Sequence, residues 1–466
     1  MTASRAVDVL VAGAGVAGVA AAAALGEFGW EVLLVEPGLD SARRLAGELI
    51  HPPGTTDLAA LGLLPDLEET GGMSVRGFAV VSDPARADET SRMHVLPYAR
   101  LAGQRRHGFA AEHSAIRASL RRAVERLPHV TLWHGARVTA LDASGRDTVR
   151  ATVRRRDDEV RVSARLLVGA DGATSTVRRL AGIAHQRRRV STMLGYLLPD
   201  GELPAPGYGT VFLGGPAPAL AYQVGSQAIR VMFDLPDDPD GPDARTFSPA
   251  DLGALPAALR GVARDVMSRQ QALVAMNYSI LPERVTAGRV VLVGDAAGCC
   301  HPLTATGLSV CTRDAMRLRG ALRVTGGDLP AALARYAAER EGPQRTRLAL
   351  AQRLYEIFLA RTPETRLLRD GVLRYWTSSA RGRATSMALL STQEGNMAVM
   401  AREYTRVVGY ALCGLLGRRP DTALGSLAAR GRAALSLTCG MLGAITWGAP
   451  TWPATPPDAR SVPAKP

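Results

Sequence analysis

DVLVAGAGVAGVAAAAALGEFGWEVLLVE, residues 8–36, decides the fold. It opens with an unbroken apolar run, Val9, Leu10, Val11 and Ala12, the pattern of a strand buried on both faces. Gly13-Ala14-Gly15-Val16-Ala17-Gly18 then spells G-x-G-x-x-G. An alanine-rich helix follows, then a second apolar strand ending on Glu36. Gly13 lets the chain turn out of the strand, Gly15 leaves room for a pyrophosphate against the backbone, and Gly18 lets helix and strand pack closely. The helix start, at Val16 and Ala17, offers free N–H groups and partial positive charge to phosphates. Glu36 stands where an acidic side chain can accept hydrogen bonds from a ribose. Strand, glycines, helix and acid in this order predict a dinucleotide-binding βαβ unit; a plain glycine-rich turn leaves Glu36 unexplained.

The chain has 466 residues, enough for two or three domains, and its 47% hydrophobic content is that of a globular protein. The nucleotide-binding strand begins so early that no secretory signal is expected, which points to the cytoplasm. Cys299, Cys300, Cys311, Cys413 and Cys439 show no C-x-x-C or other metal spacing, so reduced structural thiols are expected. The net charge of +13 is almost wholly arginine, with one lysine, Lys465. Arginine in place of lysine, beside abundant alanine and glycine, reads first as the composition of a GC-rich genome. Without interleaved aromatics nucleic acid is not expected as a partner, and attraction to an anionic membrane surface is the more credible use of the charge.

Further along, 41–54 reads as a helix stopped by Pro52 and Pro53, and 58–64 as a short helical piece. Two strands, RGFAVVSD and RMHVLPY, flank a polar turn at 84–90. The spacing of Ile116, Leu120 and Val124 predicts a helix over 111–127. Short strands follow at 130–133 and 137–141, and a hairpin at 148–153 and 159–162 turns around a charged tip. A buried strand at 166–168 runs into Asp171-Gly172, with Ser175 and Arg178 beyond. Residues 187–282 read as antiparallel strands that, with 76–97, form one sheet over the nucleotide unit. The strand at 290–293 enters Gly294-Asp295-Ala296-Ala297-Gly298, then His301-Pro302-Leu303-Thr304-Ala305-Thr306-Gly307-Leu308, with a helix from Gly307 to about Val324. The remainder, from Pro330, is helical in pattern.

Taken in order, Gly13-x-Gly15-x-x-Gly18, Asp171-Gly172-x-x-Ser175-x-x-Arg178 and Gly294-Asp295-Ala296-Ala297 with Pro302 and Gly307 resemble the single-component flavin-dependent monooxygenases of the aromatic-hydroxylase type. The likeness covers roughly residues 7–350. A narrower one exists: Arg44-Leu45-Ala46-Gly47-Glu48-Leu49-Ile50-His51-Pro52-Pro53-Gly54 and His301-Pro302-Leu303-Thr304 look like segments of squalene epoxidases. Against that family's pattern, His51 replaces a glutamine, and the downstream tyrosine position falls at Phe78, so its Gln–Tyr link toward the flavin is not expected here. Ala305-Thr306-Gly307 replaces G-G-G.

The resemblance implies an α/β fold: a Rossmann-like FAD-binding domain from 1–75, 105–185 and 283–350, an inserted antiparallel substrate sheet from 76–104 and 186–282, a C-terminal helical region over 351–453 and a disordered tail at 454–466. It implies FAD held by the three glycine stretches, with Arg44 at the phosphates, Arg117 (or His113) and Val138 facing the cofactor, and Asp295 toward the ribityl chain. The helix start at Thr306, Gly307 and Leu308 would face the flavin N1/C2=O edge, where reduced flavin is anionic. His51, Phe78 and Pro302 are the flavin- or substrate-facing candidates for catalysis.

The implied chemistry is reduction of the flavin by transiently bound NADPH or NADH, addition of O₂ at C4a, and transfer of the distal hydroperoxide oxygen to a hydrophobic substrate, with epoxidation of an isoprenoid or prenylated alkene foremost. Aromatic hydroxylation, prenyl-chain reduction and a non-enzymatic flavin-binding or membrane-scaffold role are the alternatives. No Ser-His-Asp set, metal cluster or carboxylate pair stands out in the sequence, and the implied chemistry requires none. The uncharged run at 433–447 is short of the ~20 residues that cross a bilayer. It is either a core helix or a peripheral anchor on the inner membrane face, the second being what the resemblance implies.

Overall fold

The computed structural model describes residues 3–38, 45–83, 93–101, 103–156, 158–199, 201–237 and 247–416. β1 (Ala3–Ala12) turns through the glycines into α1 (Val16–Gly26) and returns as β2 (Val32–Glu36), parallel to β1. All eleven residues of α1 are buried. Alanine suits it because the helix is packed between the sheet and a second helix, and small side chains let both approach.

β3 (Leu49–Ile50), α2 (Pro52–Ala60), α3 (Leu64–Glu68), β4 (Met73–Val75), β5 (Gly77–Val81) and β6 (Met93–Pro97) come next. Pro52 and Pro53 therefore start a helix and do not stop one. At the first helical positions proline forfeits no intrahelical N–H bond and its fixed φ is already helical. Residues 41–44 lie outside the described residues, as does the polar turn at 84–90. The single short helix expected at 58–64 is instead the end of α2 and the start of α3, separated at Gly62, whose φ of +69° breaks the helix.

β7 (Gly108–Ala110), α4 (His113–Glu125), β8 (Val130–His134), β9 (Ala136–Asp142), β10 (Val149–Arg155) and β11 (Asp158–Gly169) complete the first half. The second arm of the expected hairpin and the expected strand at 166–168 are one strand. Its half-exposed start alternates and its end is buried on both faces, which reads in sequence as two elements. β18 (Val290–Leu292, reached below), β11, β1, β2 and β8 run parallel in that order.

α5 (Thr176–Leu180) leads to β12 (His185–Pro199), β13 (Gly209–Phe212), β14 (Ala219–Gly225), β15 (Ala228–Pro236), α6 (Pro249–Leu252), α7 (Ala257–Arg269) and β16 (Leu273–Pro282). These strands join β5 and β6 in a seven-stranded sheet ordered β16-β12-β15-β14-β13-β5-β6. All its pairings are antiparallel except β5 with β13. Those two strands meet across some 130 residues of sequence and not through a hairpin, so no short turn dictates their direction.

β17 (Thr286–Ala287) and β18 return the chain to the parallel sheet, and α8 (Gly307–Val324) packs on α1. α9 (Leu329–Leu359), α10 (Pro363–Ser378), α11 (Ala380–Leu390) and α12 (Met397–Leu416) follow. α9, α10 and α12 share one apolar core with the seven-stranded sheet, including Phe78, Leu96, Leu354, Phe358 and Trp376. Among the described residues no helix is long and apolar enough to cross a membrane. The runs at 433–447 and 454–466 lie outside the described residues.

Candidate functional site: a two-helix cradle beside an apolar cavity

The first glycine stretch is shaped by close contact. Gly13 has φ +100°, and a Cβ there would meet the Ala170 carbonyl at 2.6 Å; one on Gly18 would meet the Gly13 oxygen at 1.7 Å. Gly15 is different: a Cβ there would meet nothing within 4 Å. It caps α1, and no side chain caps that helix, so its first N–H groups face open space. Gly307, the first residue of α8, repeats the pattern: no atom lies within 4 Å of its Cβ position and no side chain caps the helix. Two uncapped helix starts, each with glycine facing open space, suit a pyrophosphate and an anionic ring edge. The residues present fit FAD.

Around this cradle the side chains are already ordered. Glu36 accepts the Ala14 N–H at 2.7 Å and the Gly38 N–H at 3.1 Å. Arg117 and Arg121 approach its carboxylate at 3.6 and 3.3 Å, and Arg121 also donates to the Ala14 carbonyl at 3.0 Å. Arg121 escaped the sequence reading, although it lies one helical turn beyond Arg117 on the same face. His113 instead bonds Gly47 O at 2.8 Å. Val138 is buried on β9. Arg44 lies outside the described residues.

The second and third motifs are tied together. Asp171 accepts from Ser175 Oγ at 2.5 Å and from the Val177 N–H at 3.0 Å, so its carboxylate caps α5, beside Gly172 at φ +80°. Arg178, 3% exposed, donates to the Ala296 carbonyl at 2.9 Å and to the Ala173 carbonyl at 2.7 Å. It clamps the Asp171 turn onto the Gly294–Ala297 turn, which holds the partly buried Asp295. Gly294 lies against α1, where a Cβ would meet Ala17 Cβ at 2.7 Å.

Pro302 begins a short 3-10 turn, Pro302–Thr304, followed by Ala305 at φ +51° and Thr306, whose hydroxyl meets that of Thr304 at 3.2 Å. Leu308 turns its side chain inward, over Gly47. His51, fully buried, reaches this turn: Nε2 lies 2.9 Å from the Thr304 carbonyl and Nδ1 2.6 Å from Tyr98 Oη. A carbonyl only accepts, so Nε2 carries the proton and Nδ1 accepts from the phenol. Burial pushes His51 down to about 4, which keeps the ring neutral in this bridging role. The aromatic hydroxyl on His51 thus comes from Tyr98, and Phe78 packs its ring 5.7 Å away. Nothing in the spacing marks Tyr98, because it reaches His51 from beyond β6.

A second buried network holds the other side of the turn. Ser191 Oγ donates to Asp234 at 2.6 Å, accepts from Asn277 at 2.9 Å and meets His301 Nε2 at 3.0 Å. Tyr355 Oη donates to the other Asp234 oxygen and stacks on His301 at 3.9 Å. This is a Ser-His-Asp set that the sequence reading did not find, its members 110 and 43 positions apart. It is not arranged to activate a nucleophile. One ring nitrogen faces both Ser191 and Asp234, while Nδ1 accepts the Leu303 N–H. Its effect is to fix the His301–Thr304 segment to β12 and β15. A third link, the bidentate pair of Arg230 with Glu48 at 2.9 and 2.9 Å, ties the same sheet to the segment before His51.

Between the sheet, this turn and the helices α9 and α10 lies a narrow apolar cleft. Phe78, Val80, Leu96, Leu354, Phe358 and Trp376 line it, Thr304 supplies its polar edge, and its described lining holds no charged side chain. Among the described residues no group of side chains could hold a metal ion.

Residues 163–427 match the family model described as "SE: Squalene epoxidase". The chain belongs to the squalene epoxidase family. Squalene epoxidase erg1 of Aspergillus fumigatus is 30% identical over 396 residues, 79% of this chain and 79% of that one. Squalene monooxygenase of Mus musculus is 29% identical over 418 residues, 87% of this chain and 71% of that one. In fold, the chain is similar to the p-nitrophenol 4-monooxygenase PnpA from Pseudomonas putida DLL-E4, with TM-score 0.68 and 19% identity over 84% of this chain and 99% of that one. It is also similar to the OxyS anhydrotetracycline hydroxylase from Streptomyces rimosus, with TM-score 0.63 and 23% identity over 83% and 76%. This squalene epoxidase relative is an FAD-dependent monooxygenase with a Rossmann-like α/β fold, acting on a small molecule and O₂.

Proposed function

We propose that the enzyme epoxidises an alkene of a hydrophobic isoprenoid or prenylated substrate, drawing electrons from transiently bound NADPH or NADH. The observation that carries this reading is the uncharged cleft beside Leu303 and Thr304. An alkene needs no charged partner to be held or oxidised, whereas a phenol gains from a base, and His51 has both ring nitrogens engaged.

FAD, when bound, supplies the activation of O₂ and the transfer of one oxygen atom. The chain's own groups have separate tasks. The N–H groups of α1 and Gly15 would hold the pyrophosphate, and the start of α8 at Gly307 would stabilise negative charge on the reduced ring. His51 and His301 hold the Pro302–Thr304 turn from two sides, which fixes this wall of the cleft. The apolar lining excludes water, which protects the oxidant from unproductive breakdown. The charge of +13 and the apolar run at 433–447 support peripheral contact with an anionic membrane, from which a greasy substrate would be drawn.

The test uses purified, FAD-loaded protein under ¹⁸O₂ with NADPH or NADH, offered squalene, a prenylated aromatic and a simple phenol in parallel. Alkene-stimulated nucleotide oxidation with one labelled oxygen in an epoxide is expected. Oxygen insertion into the phenol alone would overturn the epoxidase reading.

A further inference from the structure

Along the first half of α8, from Val310 to Arg317, a second cleft opens between α8, α9 and the turn after α11. Its character is opposite to that of the apolar one. Arg313, Arg317, Arg340 and Arg347 line it, against two carboxylates, Asp314 and Glu394.

The carboxylates are already used. Asp314, fully buried, accepts from Arg340 Nε at 3.0 Å and the Gly294 N–H at 2.9 Å, and pairs with Arg317 at 3.3 Å. Glu394 accepts the Asn396 N–H at 2.7 Å. The donors are not used up. Arg340 Nη2, Arg347 Nε, Gln344 Nε2 and Thr392 Oγ1 have no hydrogen-bond partner among the described residues. Arg340, Gln344 and Arg347 are 3%, 5% and 7% exposed, so open solvent does not serve them. The orientation of Gln344 is fixed, because its Oε1 accepts from Arg347 at 2.8 Å and leaves the amide nitrogen free. Thr392 is a β-branched residue at φ +65°, a conformation that costs energy and that surrounding structure must enforce.

Buried groups left unsatisfied are rare, and four together that can all donate call for a multivalent acceptor. We propose that this cleft is an oxyanion site that takes a phosphate group. A phosphate offers several acceptor oxygens and charge enough to offset the surplus guanidinium groups, and arginine is the side chain best matched to it. The same residues hold the third glycine motif from behind. Asp314 grips the Gly294 N–H, and Arg347 donates to the Gly298 carbonyl at 2.9 Å. A bound phosphate therefore stiffens the turn that carries Asp295 and tightens FAD retention. The proposal does not depend on which substrate is oxidised.

The experiment titrates FAD-loaded full-length protein with inorganic phosphate against chloride at matched ionic strength. It reads heat of binding, melting temperature and the rate of FAD loss. Saturable binding is expected, with slower FAD loss. Arg347→Gln should weaken it tenfold or more. Arg317→Gln, on the rim with 23% of its side chain exposed, gives up its ion pair with Asp314 and repeats the test with the Arg340–Asp314 and Arg347–Gly298 bonds left in place. Arg269→Gln, exposed on α7, should leave the affinity unchanged. Binding no stronger than that of chloride, or equal in all three variants, would mark an adventitious ion only and overturn the site. Competition by adenosine 2′,5′-bisphosphate but not ADP would assign the phosphate to a nucleotide, competition by phosphatidic acid vesicles would assign it to a lipid, and competition by neither would assign it to the free ion. Each supports the site.

Discussion

His51 gives the sharpest quantitative expectation. Its ordinary value of 6.5 falls to about 4 because the ring is fully buried. Each unit of such a difference is worth ~1.4 kcal/mol, so the mismatch between folded and unfolded chains is worth about 3 kcal/mol. The unfolded chain takes up a proton at this ring below pH 6.5, whereas the folded chain resists until about pH 4. The contribution is therefore fully present above 6.5 and is lost as pH falls toward 4. His51→Gln isolates it. A glutamine amide can donate to the Thr304 carbonyl and accept from Tyr98, yet it does not titrate. Urea unfolding of both proteins, FAD-loaded and followed by tryptophan fluorescence, should be run at half-unit steps from pH 7.5 to 4. Wild type should lose about 3 kcal/mol relative to His51→Gln across that window. A difference that stays flat within ~0.5 kcal/mol would refute the argument, because it would mean that the ring is hydrated or charged in the folded protein.

Arg230→Met leaves the Glu48 carboxylate buried without its guanidinium and should cost ~3–5 kcal/mol, most of it recovered by adding Glu48→Gln; urea midpoints of the single and double variants check this. Gly15→Ala meets no neighbour within 4 Å, so its melting temperature without FAD should match wild type, while FAD affinity by equilibrium dialysis falls roughly tenfold. Asp234→Asn turns one of the two oxygens, which accept separately from Ser191 and Tyr355, into a donor and should cost ~1–3 kcal/mol in thermal unfolding. Because that network anchors His301, the same variant should also release more hydrogen peroxide per NADPH oxidised.

Local physics made part of this legible in the sequence. The first βαβ unit could be read because an apolar run, three glycines and an acid each have a short-range reason to be where they are. The start of α8 at Gly307 follows from the same kind of reason. Pro52 and Pro53 misled because proline both ends and begins helices, and only the neighbours of the next turn decide which. Arg178 could be taken for a surface charge because the sequence does not show that the Ala296 carbonyl lies beside it. Tyr98 and the Ser191, Asp234, His301 and Tyr355 network were invisible for a related reason. Their partners come from different strands and helices, and which ones meet is settled by the packing of two sheets, not by any periodicity.

α9 carries three of the contacts described above, and a fourth from Tyr336, along one helix. Tyr336 donates to the Leu292 carbonyl at 2.8 Å, Arg340 meets Asp314, Arg347 meets the Gly298 carbonyl, and Tyr355 meets Asp234. It works as a ruler laid across both sheets, with marks cut at fixed intervals. A single inserted residue would rotate every later mark by about 100° and slide it by about 1.5 Å, breaking the cofactor-side and substrate-side contacts out of step. Leu354 and Phe358, by contrast, line the apolar cleft on either side of the last mark, Tyr355. With the cleft holding the substrate as proposed, its range can drift by exchanging cleft-lining side chains on α9, while the length of the helix has almost no freedom to change.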